Sequence, residues 1–225
     1  MKYSEVFKRD KKKFNLYETL DIFQNAAVAH GTRLGFGYEE MLEKDVFWVL
    51  LRTKFVVYNN SETDEYTSIT YPKEPSKINF NREYQIKHND EVLIDGISKW
   101  LVVSLQTRKI KRDHNLIYHS KTIDESLFED IYKISYDLDK FKLVDTYQVT
   151  DKDLDRNNHV NNASYAFMIE KIINTENIKE FQIDYLNEIL NNQKIDLFTY
   201  KENETLFILG KFKDKICFVS EIKGE

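Results

Sequence analysis

The sequence predicts an α+β fold built from two similar halves, each one helix followed by several antiparallel strands. Three observations carry this. An amphipathic helix opens the first half. Strand-like segments joined by short turns follow it. After a polar, strand-poor stretch from about Lys111 to Lys140, the same order recurs. A helix that must bury one stripe in a half of this size lies across the sheet or is wrapped by it. The recurrence points to an internal duplication.

Residues 17 to 34 read as the first helix, with Leu20, Phe23, Ala27 and Leu34 on one stripe. Thr19 is placed to cap its start, and Gly35 and Gly37 to stop it. Phe47 to Tyr58 is a long β-rich run, and Tyr66 to Tyr71 alternates up to Pro72. Ile78 to Ile86 alternates with Ile78, Phe80, Arg82, Tyr84 and Ile86 on one face. His88 to Glu91 is a turn, and Val92 to Leu105 a further strand in which Gly96 marks a bulge. Arg82 among apolar neighbours either lines a ligand cavity, where it binds substrate, or holds a salt-bridged edge position.

Within the connecting stretch, Ile123 to Ile131 has a short helical pattern. In the second half Leu143 to Val149 is a strand and residues 161 to 174 a helix. Phe181 to Tyr185, Lys194 to Tyr200, Thr205 to Phe212 and Ile216 to Ile222 are strands.

The composition is that of a globular protein: 225 residues, 41% hydrophobic and 32% charged, with only two prolines and six glycines. No apolar run approaches the length of a membrane helix, and Met1 to Val6 has no signal-peptide core, so a cytoplasmic location is expected and no membrane insertion. A single cysteine, Cys217, excludes an internal disulfide. The net charge of −5 argues against nucleic acid as the main partner. Two basic clusters stand against that acidity: Lys8-Arg9 with Lys11-Lys12-Lys13, and Arg108-Lys109 with Lys111-Arg112. Each reads as a solvated face. On one common face they would steer an acidic partner.

The densest chemistry lies in Asp155-Arg156-Asn157-Asn158-His159-Val160-Asn161-Asn162, an acid, four amides and an imidazole. This polar run enters an apolar stretch with helical spacing, Tyr165, Met168, Ile169 and Ile172. The first N–H groups of a helix lack intrahelical partners, and the dipole is positive there, so the entry suits a developing negative charge. Asn and Asp also favour caps and turns, but a cap needs only one such residue or two.

The stretch Asp155-x-Asn157-x-His159-Val160-Asn161-Asn162 resembles the signature of the acyl-acyl carrier protein (acyl-ACP) thioesterases of bacteria and plants. Trp48-Val49-Leu50-x-Arg52, Tyr71-Pro72 followed by Arg82, Trp100-Leu101-Val102-Val103 and Tyr185-x-x-Glu188 extend the resemblance over nearly all of the chain. It implies a double (tandem) hotdog, each half a curved antiparallel sheet wrapped around a long helix. The expected boundaries are 1–120 for an acyl-chain-binding hotdog, 121–140 for the connection and 141–225 for the catalytic hotdog. The implied activity is thioester hydrolysis, releasing a fatty acid from the phosphopantetheine arm of acyl carrier protein, with no cofactor. A homodimer is one quaternary state left open.

Thioester hydrolysis needs an oriented water, a base and donors for the oxyanion. The resemblance makes Glu188 the base, a half-buried carboxylate near a strand end whose pKa burial would raise. His159 donates to the thioester carbonyl or to the leaving thiol, Asn157 holds water or carbonyl, and Asp155 orients Asn157 or His159. N–H groups near Asn161 and Asn162 complete the oxyanion site. Whether Glu188 activates water or attacks directly stays open. Plant members carry a cysteine right after the glutamate where this chain has Ile189, and Cys217 is expected to pack as a small apolar residue. The family often has Asp where this chain has Ser104.

The five histidines, at 30, 88, 114, 119 and 159, show no metal-ligand spacing, and His30 in the first helix reads as a core or cap residue or a relic of a second site. Gly-rich phosphate loops and a Gly-x-Ser-x-Gly elbow are absent. Two alternatives stand beside the thioesterase reading: a hotdog enzyme acting on acyl-coenzyme A, and a non-catalytic acyl-binding protein on the same fold.

Overall fold

The computed structural model describes residues 2–76, 78–111 and 126–224. The chain folds into two compact units, Met1–Lys12 with Ile22–Ile131, and Lys13–Asp21 with Tyr132–Glu225.

The first unit holds β1 (Tyr3–Lys12), most of α1 (Leu16–Arg33), α2 (Tyr38–Glu43), β2 (Val46–Val57), β3 (Thr63–Pro72), β4 (Phe80–His88) and β5 (Glu91–Ser104). Its strands are antiparallel in the order β1-β3-β4-β5-β2. The second unit holds β6 (Lys142–Gln148), α3 (Tyr165–Glu170), β7 (Glu180–Tyr185), β8 (Lys194–Glu202), β9 (Thr205–Phe212) and β10 (Lys215–Lys223). Its strands run β6-β8-β9-β10-β7, again antiparallel. The two orders are the same pattern: the leading strand on one end, the strand after the helix on the other, the last three between.

Helix α1 starts one residue before the expected span and is capped by Asn15, whose Oδ1 accepts the Glu18 N–H at 2.8 Å. Thr19 lies inside the helix and donates its hydroxyl to the Asn15 carbonyl instead. Gly35 ends it at φ +75°, a conformation a side chain would strain. In the first unit Ile22, Phe23, Ala26 and His30 form the buried stripe of α1, and Phe23 stacks on Tyr84 of β4 at 4.4 Å. Gly96 is not a bulge. It pairs regularly with Phe55 and Tyr84, and a Cβ there would lie 2.2 Å from the Phe23 ring. Among the described residues the irregularities of this sheet fall at Leu51 in β2, at Leu93 in β5 opposite Ile86 and Lys87, and between Lys8 and Lys12 in β1.

The expected second helix is shorter than its periodicity. A 3-10 turn, Asn162–Ser164, leads into α3, which ends at Glu170. Tyr17, from the first turns of α1, stacks on Phe167 of α3 at 4.4 Å within the second unit. Strand β1 was not anticipated: its charge pattern hides the period, since nearly all its side chains are exposed on an edge strand. Lys8 to Lys12 line that edge. Arg108 to Lys111 follow β5 outside the named strands and helices, with the Arg108 guanidinium over the Phe47 ring. Residues 126–131 form no helix, and Ile123 and Arg112 fall outside the described residues.

The segment between the units is fastened by buried acids. Glu83 of β4 is fully buried and accepts the Tyr71 hydroxyl, the Ser126 hydroxyl and the Leu127 N–H at 2.8, 3.0 and 3.1 Å. In the second unit Asp184 of β7, equally buried, accepts the Ile134 N–H at 3.0 Å. Among the described residues no helix is long and apolar enough to cross a membrane.

Candidate active site

The polar run read from the sequence is a closed loop in the second unit, and its geometry begins one turn earlier. Asp153 is fully buried and accepts the Tyr147 hydroxyl at 2.8 Å on Oδ1. Its Oδ2 takes the Thr150 N–H and hydroxyl at 2.8 and 3.0 Å, in the manner of a capping box. Burial, reinforced by the Asp153 charge, pushes the Tyr147 phenol well above its usual pKa, so Tyr147 stays a donor. The Asp153 carbonyl then accepts the Asn161 N–H at 2.8 Å, fixing where the loop returns.

Between these points Leu154 and Val160 form a β-bridge, and the Asp155 N–H donates to the His159 carbonyl at 2.7 Å. Asn158 sits at φ +60°, a conformation Asn tolerates better than most residues. The Asp155 carboxylate faces back into the loop. Oδ1 accepts the N–H groups of Asn157 and His159 at 2.8 and 3.1 Å, and Oδ2 lies 3.5 Å from the Asn157 amide nitrogen. Asp155 therefore touches both residues that the family resemblance gives it to orient.

The loop is tied to the segment after β7. The Val160 N–H donates to the Ile189 carbonyl at 2.8 Å, and His159 bridges Leu190. This pairing sets the His159 Nε2 3.7 Å from Glu188 Oε2. Their side chains are 31% and 61% exposed. Glu188 is thus not the half-buried carboxylate expected near a strand end. β7 stops at Tyr185, and Asn187 and Glu188 beyond it are exposed, while Ile189 is buried again.

The helix entry also differs from expectation. The Asn161 N–H is spent on Asp153, the Ala163 N–H on the Asn161 side chain at 2.9 Å, and the Ser164 N–H on the Asn161 carbonyl at 2.9 Å. The N–H groups of Asn161, Ala163 and Ser164 are therefore taken within the protein. The Asn162 carbonyl accepts the Tyr185 hydroxyl at 3.2 Å. Beneath it Tyr165 is buried edge-on to Tyr185 and Phe218, at 5.0 and 5.5 Å. Burial raises its pKa, with Tyr185, Cys217 and Glu188 adding to the effect.

Cys217 lies nearer this constellation than sequence distance suggests. The carbonyl of Cys217 accepts the N–H groups of Leu186 and Asn187 at 2.8 and 3.1 Å, next to Glu188. It is the extra residue where β10 bulges against β9, between Ile216 and Phe218. The thiol is buried, and burial raises its pKa above the usual value. It therefore stays a thiol at neutral pH.

Arg82 belongs to the first unit. It is buried in β4, which lies between β3 and β5, so the edge position is excluded. Its guanidinium donates to His30 Nδ1 at 3.0 Å and to the Thr70 hydroxyl at 3.3 Å. Arginine only donates, so Nδ1 is the acceptor and His30 is neutral, protonated at Nε2. Burial first, then the Arg82 charge, lower the His30 pKa to about 4.

Asp153 and Tyr147 were missed by sequence reasoning, and Tyr185 entered only through the Tyr185-x-x-Glu188 match. Thr150-x-x-Asp153 carried the one readable signal, a capping-box pattern. The others depend on strand pairing.

Residues 6–119 match the family model of the acyl-ACP thioesterase N-terminal domain, and residues 136–217 that of its C-terminal domain. The chain is 25% identical over 213 residues to the chloroplastic oleoyl-acyl carrier protein thioesterase of Coriandrum sativum, covering 81% of this chain and 56% of that protein. It thus spans little more than half the length of that curated relative. Its fold is similar to that of an acyl-ACP thioesterase from Bacteroides thetaiotaomicron, at TM-score 0.89 and 18% identity over 100% of this chain and 98% of the other. It is also similar to the 12:0-ACP thioesterase of Umbellularia californica, at TM-score 0.80 and 16% identity over 100% and 97%.

Proposed function

Because this chain belongs to the acyl-ACP thioesterase family, we propose that it hydrolyses the thioester of fatty acyl-ACP, releasing free fatty acid and ending chain elongation in fatty acid biosynthesis. In this reading each unit is a hotdog, the first holding the acyl chain and the second carrying the chemistry. The observation that supports it most directly is the approach of His159 Nε2 to Glu188 Oε2 at 3.7 Å, on a loop that Asp155 fastens from within.

The reaction follows from those positions. A water beside Glu188 gives up a proton to the carboxylate as its oxygen attacks the thioester carbon. The carbonyl oxygen becomes negative and is met by donors: the His159 Nε2–H and the Asn157 amide. Collapse breaks the carbon–sulfur bond. The proton taken by Glu188 passes to the leaving thiolate, with His159 adjacent to relay it, and the carboxylate is restored. Asp155 holds Asn157 and His159 in place, and Asn161 and Asn162 contact the substrate near the thioester. An exposed Glu188 suits this order, because the bound acyl thioester itself displaces the surrounding water. In the acyl-binding unit Arg82 serves substrate binding from within the sheet.

Purified Glu188→Ala and His159→Ala test the assignment with acyl-ACP as substrate. Each is expected to lose about a hundredfold or more in kcat while keeping its folded circular dichroism. Near-wild-type turnover in Glu188→Ala would remove Glu188 as the base. A higher kcat/KM for acyl-coenzyme A than for acyl-ACP would replace the carrier protein as the natural donor.

A further inference from the structure

We propose that the cleft beside Glu188 in the second unit is the entry groove for the carrier protein's phosphopantetheine arm, with Lys213 and Lys215 taking its phosphodiester. The inference rests on the thioesterase reading above. A cleft of about 530 Å³ opens there, lined by Glu188, Leu190, Gln193, Phe212, Lys213 and Lys215 among others. It thus joins the proposed base to the β9–β10 turn.

The chemistry of this lining matches the arm. A phosphopantetheine carries a thioester at one end, two amides and short aliphatic stretches in the middle, and a phosphodiester at the other end. The cleft offers the carboxylate that would act on the thioester, a side-chain amide at Gln193, and apolar surface at Leu190 and Phe212. Leu190 is 43% exposed although large and apolar. Lys213 and Lys215 flank the turn, both exposed, and among the described residues neither has a carboxylate partner. Lys213 rests instead over the Phe212 ring, 5.2 Å from its centroid, which keeps that ammonium at the rim. Lys213 also adopts φ +56°, the left-handed turn conformation that Gly or Asn would take more easily.

The bulge at Cys217 supplies the geometry. Its carbonyl holds Leu186 and Asn187, directly before Glu188. Lys215 lies two residues earlier on the same strand, about 7 Å along it. The unpaired cationic pair thus lines the same cleft as Glu188, at the start of the strand whose bulge holds the residues before that carboxylate. Lysine binds a phosphate as a point charge, without the fixed geometry of arginine, so the contact is weak alone and adds to the rest of the arm.

The test measures binding and turnover separately. Binding of 4′-phosphopantetheine and of pantetheine, which lacks the phosphate, is followed by NMR on wild type, on Lys213→Ala/Lys215→Ala and on Leu190→Trp. The double lysine variant is expected to bind 4′-phosphopantetheine about fivefold more weakly and pantetheine unchanged, while Leu190→Trp weakens both. An equal Kd for 4′-phosphopantetheine in wild type and the lysine variant overturns the proposal, as does binding in Leu190→Trp that matches wild type. Acyl-ACP and acyl-coenzyme A are then hydrolysed side by side. A similar rise in KM for both assigns the lysines to the shared phosphate. A rise confined to acyl-ACP assigns them to the carrier's protein surface and overturns the phosphate site. If the arm binds as expected and no acyl thioester is turned over, the groove stands and the thioesterase reading fails.

Discussion

The Asp155 carboxylate accepts the backbone N–H of His159 at 3.1 Å, while the Asp155 N–H donates to the His159 carbonyl at 2.7 Å. The two residues close one loop on themselves from both sides. His159 is therefore positioned by its backbone, and its imidazole stays directed at Glu188 without a side-chain partner of its own in the loop.

Asp155→Ala is expected to remove two acceptor contacts to backbone N–H groups and cost about 1–3 kcal/mol of local stability. Turnover should fall at least about tenfold, mainly in kcat, because the imidazole loses its placement. Asp155→Asn keeps one acceptor oxygen and should recover part of the loss. Amide hydrogen exchange at His159 and steady-state kinetics check both. Equal kinetics in Asp155→Ala and wild type would remove its orienting role.

Cys217→Ser should keep kcat within about threefold of wild type, since loss of a true proton-transfer group costs far more. The thiol should react slowly with iodoacetamide at pH 7, because burial holds it protonated. A folded but inactive Cys217→Ser would return the thiol to the mechanism.

Gly96→Ala should destabilise the first unit by about 1–3 kcal/mol. The new methyl would sit 2.2 Å from a Phe23 ring that Tyr84 and Phe55 already confine. Urea unfolding measures the loss, and a simultaneous Phe23→Leu should return part of it.

The pH dependence of stability should carry the signature of His30. Its folded pKa is lowered from 6.5 to about 4, so between those values the unfolded chain binds the extra proton. Stability from this residue is present above about pH 6.5 and is lost as pH falls toward about 4. In His30→Gln, which keeps an acceptor for Arg82, unfolding free energy should fall less steeply over that window. Identical slopes in the two proteins would show that His30 does not titrate there.

Much of the architecture was legible in the amino acids alone. Helix α1 and nine of the strands announce themselves by period, because half-buried strands and amphipathic helices must alternate at 2.0 and 3.6 residues. Of the expected stripe, however, only Leu20 and Phe23 are buried, while Ala27 is partly buried and Leu34 lies past the helix end. The motif from Asp155 to Asn162 also identifies itself by composition. Strand β1 escaped because an exposed edge needs no apolar face, and its lysines mask the pattern. The second helix was overestimated because Ile172 continues the spacing past Glu170, where the helix ends. Only the tertiary structure decided the rest. The carboxylate of Asp153, the bulge at Cys217 and the exposure of Glu188 all follow from which strands pair and where they stop, and pairing joins residues that share no sequence neighbourhood. The meeting of His159 with Glu188 depends on one such pairing, Val160 to Ile189. The neutral state of His30 depends on another kind of encounter, between a helix and a buried arginine that no local pattern connects.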